Sequence, residues 1–395
     1  MALLDKFTTV AATRAELSSG GQDPTRVVID ELISPTEGIV RGRRTILAGT
    51  NNYLGLTFDP ACVAAAEKAL HTQGTGTTGS RMANGSYATH ASLEREFAEF
   101  YGMPHGMVFS TGYSANLSVL CALVTPGDAV LLDADAHASL YDGCRMSGAD
   151  VFRFKHNDPV SLEKRLVRLG DRARNCLIVT EGLYSVMGDC APLAEFVRIK
   201  DKHGALLLVD EAHSLGAYGE NGRGVSEAEG VLDGVDFIVG TFSKSLGSMG
   251  GFCVSRHPEL ELFRYVARAF IFTASSSPSI IASTREALHQ LRTRPELRER
   301  LWRNARRLYE GIQSLGYTTG PEVSPVVAVR IGEKTAAVAA WNRLLEQGIY
   351  VNLMVPPASP DSHSYLRCSV SAAHTPEQIE TIIEAFRQIK ATQLA

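Results

Sequence analysis

The sequence predicts an α/β fold, with a large doubly wound domain followed by a smaller C-terminal α+β domain. Three observations lead there. Short apolar runs recur from about residue 46 onward, separated by segments long enough for crossover helices. The runs are apolar on both faces, as parallel strands are when helices cover both sides of a sheet. After about residue 290 the rhythm changes to long charged helices and isolated strands.

The runs are Met107–Ser110, Ala129–Leu132, Cys176–Thr180, Ala205–Val209 and Phe237–Val239, and Pro192–His203 is one of the helical crossovers between them. Farther on, a charged helix over Glu296–Leu315 precedes a strand over Val326–Arg330. A helix over Thr335–Gln347, a loop with Pro356, Pro357 and Pro360, a strand over Tyr365–Val370 and a helix over Pro376–Lys390 follow. The first 45 residues read as a helical arm and a polar connection through Ser34-Pro35-Thr36. This gives an arm at 1–45, a large domain at 46–285 and a small domain at 286–395.

At 395 residues the chain is too long for one ordinary domain, and 45% hydrophobic with 21% charged residues is a globular composition. A formal net charge of -4 gives no basic excess, so nucleic acid is not expected as a partner. Arginines between Arg292 and Arg307 alternate with Glu296, Glu299 and leucines, the mark of a solvated helix face. The seven cysteines (62, 121, 144, 176, 190, 253 and 368) include no CxxC pair, which suits reduced thiols in a cytoplasmic protein. No metal site is expected. Asp5 and Lys6 stand where a signal peptide needs its apolar stretch, and no apolar run reaches membrane-spanning length, so any membrane contact is peripheral.

In open α/β sheets ligands bind beyond the carboxyl ends of the strands. Each run here delivers polar groups to that edge: Thr111-Gly112-Tyr113-Ser114, then Asp133, Asp135 and His137, then Glu181 and Ser185, then Asp210, Glu211 and His213, then Thr241, Ser243 and Lys244. An aspartate ending a buried strand wants a cationic partner, and a protonated pyridine nitrogen is one. A desolvated lysine near another cation has a lowered pKa and forms imines. Alone, Lys244 would read as a lysine in a flexible surface loop; Asp210, His213, Thr241 and Ser243 around it favour a cofactor lysine. Gly112-Tyr113 opens a helix after a strand, which makes an anion site that the Thr241 and Ser243 hydroxyls could complete; by itself it would be an ordinary turn. His137 could stack on an aromatic ring, although a lone histidine there is more often a hydrogen-bonded core residue. Gly74-Thr-Gly76-Thr-Thr-Gly79 matches GxGxxG but follows a helical segment, Ala61–Gln73, so it is not a dinucleotide fingerprint.

With these residues in place, the chain resembles the α-oxoamine synthase family of pyridoxal-phosphate enzymes, transferase fold type I, the aspartate aminotransferase-like fold. The likeness runs from Asn51-Asn52-Tyr53-Leu54-Gly55 to Thr375-Pro376. It rests on Gly79-Ser80-Arg81, Ser110-Thr111-Gly112-Tyr113, Asp135-Ala-His137-Ala-Ser139, Asp210-Glu-Ala-His213 and Gly240-Thr241-Phe-Ser243-Lys244. The resemblance implies pyridoxal 5'-phosphate held by Lys244 as a Schiff base, with Lys244 later handling the substrate α-proton. It implies that Asp210 pairs with the pyridine nitrogen, His137 stacks on the ring and His213 hydrogen-bonds the ring hydroxyl. Gly112, Tyr113, Thr241 and Ser243 would hold the phosphate, with Thr273 reaching in from the partner subunit of a homodimer. Arg367, Asn52 and Ser80 would bind the amino acid. Phe242-Ser243-Lys244-Ser245 resembles the members that condense L-serine with a long-chain acyl thioester, on coenzyme A or an acyl carrier protein, whereas members making 8-amino-7-oxononanoate tend to carry glycine where Ser243 stands. Some members have an arginine directly before the proline pair; here Val355 stands there, so a second carboxylate contact from this loop is not implied. The alternatives are another α-oxoamine synthase acting on glycine or alanine, and a fold-type-I aminotransferase or lyase.

Overall fold

A computed structural model describes residues 3–18 and 21–393. Contacts divide the chain into two units. One comprises Leu54–Ser185 and Cys190–Arg298; the other takes in the chain up to Tyr53, Val186–Asp189 and the chain from Glu299 on.

The first unit is built on seven strands: β1 (His105–Phe109), β2 (Ala129–Asp133), β3 (Asp150–Phe154), β4 (Cys176–Glu181), β5 (Leu206–Asp210), β6 (Phe237–Thr241) and β7 (Gly251–Ser255). They lie in the order β1-β7-β6-β5-β4-β2-β3. β2 to β6 pair in parallel, while β7 runs antiparallel to both β6 and β1. The parallel strands are apolar on both faces because both faces are covered. Val130, Leu132, Leu177, Val179, Leu208 and Val239 pack into one layer with Ala115, Val119, Leu120 and Leu140. Leu131, Ile178, Leu207, Val209 and Ile238 point the other way and are equally buried.

Local signals set the helices that feed this edge. Helix α1 (Gly112–Leu123) starts in a capping box, in which Ser114 N–H donates to Thr111 Oγ1 and Thr111 N–H donates to Ser114 Oγ. Helix α2 (Ala138–Ser147) ends at Gly148, whose φ of 76° is the left-handed cap that glycine adopts without steric cost.

In the second unit, Ser364–Ser369 lies between Val326–Gly332 and Asn352–Met354 in an antiparallel sheet, with the helices Lys334–Glu346 and Pro376–Gln393 alongside in sequence. Glu31–Ser34, Glu37–Val40 and Arg43–Leu47 form a meander joined in parallel by Ile349–Tyr350. The expected polar connection at Ser34-Pro35-Thr36 is therefore the turn of a hairpin. The flanking runs are only four residues each, and Glu31–Ser34 is mostly exposed while only Gly38 and Val40 of Glu37–Val40 are buried, so their sequence carries little strand signature. The N-terminal helix, Phe7–Ser18, buries no side chain.

The cysteines form no disulfide among the described residues, and five of them are buried. Burial pushes the thiols of Cys62, Cys144, Cys176 and Cys368 up to about 12, which keeps them protonated and inert. Among the described residues no helix is long and apolar enough to cross a membrane.

Candidate active site

The carboxyl ends of β2, β4, β5 and β6 and the start of α1 enclose a cavity of about 290 Å³. Eight of the residues singled out from the sequence line it: Gly112, Tyr113, His137, Asp210, His213, Thr241, Ser243 and Lys244.

Asp210 closes β5 and is 5% exposed. Its carboxylate takes two hydrogen bonds: Ala212 N–H donates to Oδ1 at 2.9 Å and Asn116 Nδ2 donates to Oδ2 at 2.7 Å. Both donors are fixed by the fold, one by the main chain after β5 and one by α1. Asn116 stands one turn into α1, and its Nδ2 also donates to Ser139 Oγ at 2.9 Å.

Ser139 carries the chain of hydrogen bonds on to His137. Its hydroxyl lies 2.7 Å from His137 Nδ1 and its N–H donates to the same nitrogen at 3.2 Å. With two donors converging on Nδ1, the neutral imidazole carries its hydrogen on Nε2. Packing around the ring lowers the His137 pKa, with the Asp210 charge opposing that shift and Lys244 adding to it. A neutral, flat imidazole suits a stacking role. Tyr113 stands edge-on to it, with ring centres 6.4 Å apart, and donates its hydroxyl to Asp142.

Lys244 follows β6 in a loop that folds back on itself. Phe242 N–H donates to the Gly250 carbonyl at 3.0 Å and Gly247 N–H to the Lys244 carbonyl at 2.9 Å. Phe242 anchors the loop in the core, fully buried and stacked on Phe97 at 5.2 Å, with Phe97 in turn 4.3 Å from Phe252. His213, 5% exposed, completes the wall near Asp210 in sequence.

The anion cup comes from two distant stretches of chain. Thr241 Oγ1 lies 2.9 Å from Ser243 Oγ and donates to the Gly250 carbonyl at 3.0 Å. Against it sits Gly112, where a Cβ would come within 2.8 Å of Thr241 Cβ. The first-turn N–H groups of α1, at Gly112 and Tyr113, have no acceptor within their own helix. A bare backbone, a helix N-terminus and two hydroxyls thus converge, the composition of a phosphate cradle. Gly112→Val should therefore weaken cofactor binding about ten- to a hundredfold, the effect of about 1–3 kcal/mol of overpacking. Titrating the folded apoprotein with cofactor and following its visible band would measure this; unchanged affinity would remove Gly112 from the cup.

The donor set fits pyridoxal phosphate. It offers an amine for the aldehyde, a buried carboxylate for the ring nitrogen, an imidazole for the ring face and the cradle for the phosphate.

Four expected residues lie elsewhere. Arg367 and Asn52 belong to the other unit. Arg367, 3% exposed, donates from Nη1 to Asn51 Oδ1 at 3.1 Å and to Ser369 Oγ at 2.7 Å. Asn52 is also buried, and its carbonyl accepts from the Ser371 hydroxyl at 2.7 Å. Ser80 sits in the turn of the glycine-rich loop, where its carbonyl accepts from Gly85 N–H at 2.8 Å. Thr273 lines a small separate recess with Arg81, His90 and Ser110.

Asn116, Ser139 and Glu181 line the cavity without having been assigned a role from sequence. Asn116 had a readable signal, a carboxamide in the mostly apolar stretch 115–123 of α1, where Ser118 is the other polar residue. Glu181 ends β4 and is 3% exposed. Its Oε1 accepts from His137 N–H at 2.6 Å.

The sequence profile of the family "Aminotransferase class I and II" matches residues 44–386. A serine palmitoyltransferase from Caulobacter vibrioides is 54% identical, covering 99% of this chain and 97% of the relative. A solved structure described as SPT with PLP internal aldimine superposes with a TM-score of 0.96 at 47% identity, covering 99% of both chains. A lysine-to-alanine variant of serine palmitoyltransferase from S. paucimobilis, with bound PLP–myriocin aldimine, superposes with a TM-score of 0.97 at 47% identity over 100% of both chains. On these matches the chain belongs to the aminotransferase class I and II family and, within it, to the serine palmitoyltransferases.

Proposed function

We propose that this chain condenses L-serine with a long-chain acyl thioester, palmitoyl-CoA or an acyl carrier protein thioester, to give 3-ketosphinganine, carbon dioxide and the free thiol. That is the first step of sphingolipid biosynthesis. The reading is carried by the convergence of Lys244, Asp210, His137, His213 and the phosphate cradle on one cavity, in a chain with full-length likeness to serine palmitoyltransferases.

Pyridoxal phosphate, when bound, supplies an electron sink next to the amino group of its substrate. The residues divide the remaining work. Lys244 Nζ is the amine that holds the cofactor and the base that moves the serine α-proton. Asp210 would pair with the ring nitrogen of the bound cofactor, where a preorganised carboxylate is effective. His137 would cover one face of the ring, and His213 would hydrogen-bond the ring hydroxyl. Gly112 and Tyr113 N–H groups with the Thr241 and Ser243 hydroxyls hold the phosphate. Arg367 is assigned the serine carboxylate, which its planar fork matches, with Asn52 and Ser80 as further substrate contacts. Thr273 serves the partner subunit's phosphate in a homodimer. Location is cytoplasmic, with membrane contact at most peripheral.

Steady-state assays pairing serine, glycine and alanine with short and long acyl thioesters test this reading. The expected result is the highest kcat/KM for serine with a C16 donor, with one thiol released per turnover. A preference for glycine or alanine with a short donor would move the chain to another α-oxoamine synthase activity. Turnover without thiol release would point to an aminotransferase or lyase.

A further inference from the structure

Glu181 and Asp210 stand side by side, paired in the parallel register of β4 and β5, and both line the cavity. Two neighbouring carboxyls in a buried site do not both ionise cheaply, and one of them keeps a proton. Their surroundings decide which. Asp210 is held by two donors, Asn116 Nδ2 and Ala212 N–H. Glu181 accepts from the main-chain N–H of His137. Tyr184, whose hydroxyl lies 3.5 Å from the Glu181 N–H, is turned to the main chain and to Thr180 Oγ1. The charged groups around Glu181 point the same way. Burial and then the Asp210 charge push its carboxyl well above the usual range; Lys244 and the His137 N–H oppose this, and Asp133 adds to it. The remaining titratable groups lining the cavity are His137, whose charged form burial disfavours, His213, and Tyr113, whose hydroxyl donates to Asp142.

We propose that Glu181 is a positioning residue that works as a neutral acid: it fixes His137 through that residue's main chain and leaves Asp210 as the one anion lining the cavity. The inference rests on the active-site reading above. It has two consequences. His137 is tied at both ends, by Glu181 at its N–H and by Ser139 at Nδ1, so its ring is held in one orientation. The negative charge of the cavity is concentrated where a ring nitrogen would lie. An ionised Glu181 would instead compete with Asp210 and hold Lys244 in its charged form.

The amide of glutamine has the shape of a neutral carboxylic acid, so two variants of the holoenzyme decide the matter. Glu181→Gln should keep kcat within about threefold, a change no larger than that of one ordinary hydrogen bond. It should also leave the midpoint of the cofactor's visible-band pH titration unmoved. Glu181→Ala, which frees the His137 main chain, should lower kcat about a hundredfold, the scale of a small misplacement of a catalytic group. Its KM for serine should hold and its titration midpoint should shift. A purely structural residue would lower the melting temperature without moving that midpoint. Glu181→Gln as impaired as Glu181→Ala would overturn the proposal by showing that the charge is required, and Glu181→Ala with wild-type kcat and midpoint would overturn it by showing that nothing is positioned. If Glu181→Ala does not fold, Glu181→Gln decides alone. A wild type that takes up no cofactor would sink the active-site reading itself, a different result from either.

Discussion

Lys244→Ala should fold, take up pyridoxal phosphate without covalent attachment and turn over no serine. Folding should survive because the loop is anchored by Phe242 in the aromatic stack and closed by its own main-chain hydrogen bonds, none of which uses the lysine side chain. The solved lysine-to-alanine variant of the S. paucimobilis relative, which carries an aldimine ligand, is in keeping with that expectation. The activity loss should be on the order of 10⁴-fold or more, since the proposed function gives Lys244 both the covalent hold and the proton transfer, and positioned proton transfer alone contributes about 10²–10⁴. The visible band of the enzyme–cofactor imine should be missing from the purified variant, and a small amine ligand should bring a band back. A variant that kept both the band and the activity would show that another amine does the work.

Asp210→Asn separates charge from shape. The amide oxygen can still accept from Asn116, so the fold should hold. Its NH2 would face the Ala212 N–H, two donors where there had been a donor and an acceptor, at a cost of about 1–3 kcal/mol in stability. Because Lys244 is untouched, the variant should still bind cofactor and show the imine band. What it loses is the carboxylate that the proposed function pairs with the ring nitrogen. We expect kcat to fall about 10²–10³-fold, the scale of removing one preorganised electrostatic contact, with the KM for serine little changed. A fall of less than tenfold would take Asp210 out of the electronic role.

The sheet was legible wherever burial is two-sided. β2, β4 and β6 are wholly buried, β5 is buried apart from partly exposed Leu206, and all four lead to the polar groups of the site, so a plain count of apolar runs finds them. β3 escaped because only Phe154 of its five residues is buried, the pattern of an edge strand. β7 escaped for a different reason. It is as buried as its neighbours, but it opens on Gly251 after Gly250, and paired glycines read as loop. Gly251 is glycine because a Cβ would meet Gly112 Cα at 2.7 Å, a packing fact that lies far from it in sequence. In the site, residues at strand ends were recoverable because topology delivers them to one edge. Arg367, Asn52, Ser80 and Thr273 were reached only through family likeness, since nothing in their spacing points to a ligand. Asn116 and Ser139 act through other residues, and the sequence gives no sign of which side chain a polar group in a helix will meet.

β7 also governs when the site can exist at all. β1, which leads into the Gly112 turn, is an edge strand bonded only to β7, and β7 in turn joins it to β6, which leads to Thr241. The two halves of the cradle are thus stapled by the last strand of the sheet to be synthesised. A nascent chain that has not yet delivered residue 255 already carries α1 and β6, which pack on each other, but lacks the strand that joins β1 to β6, and such long-range pairings are slow to form. The strands and the glycine packing that frame the cradle are protein-to-protein contacts, so we expect the receptor to be complete before the cofactor arrives. Apoprotein made in cofactor-starved cells should be a native-like vessel that fills on simple mixing, without a cycle of denaturation and renaturation.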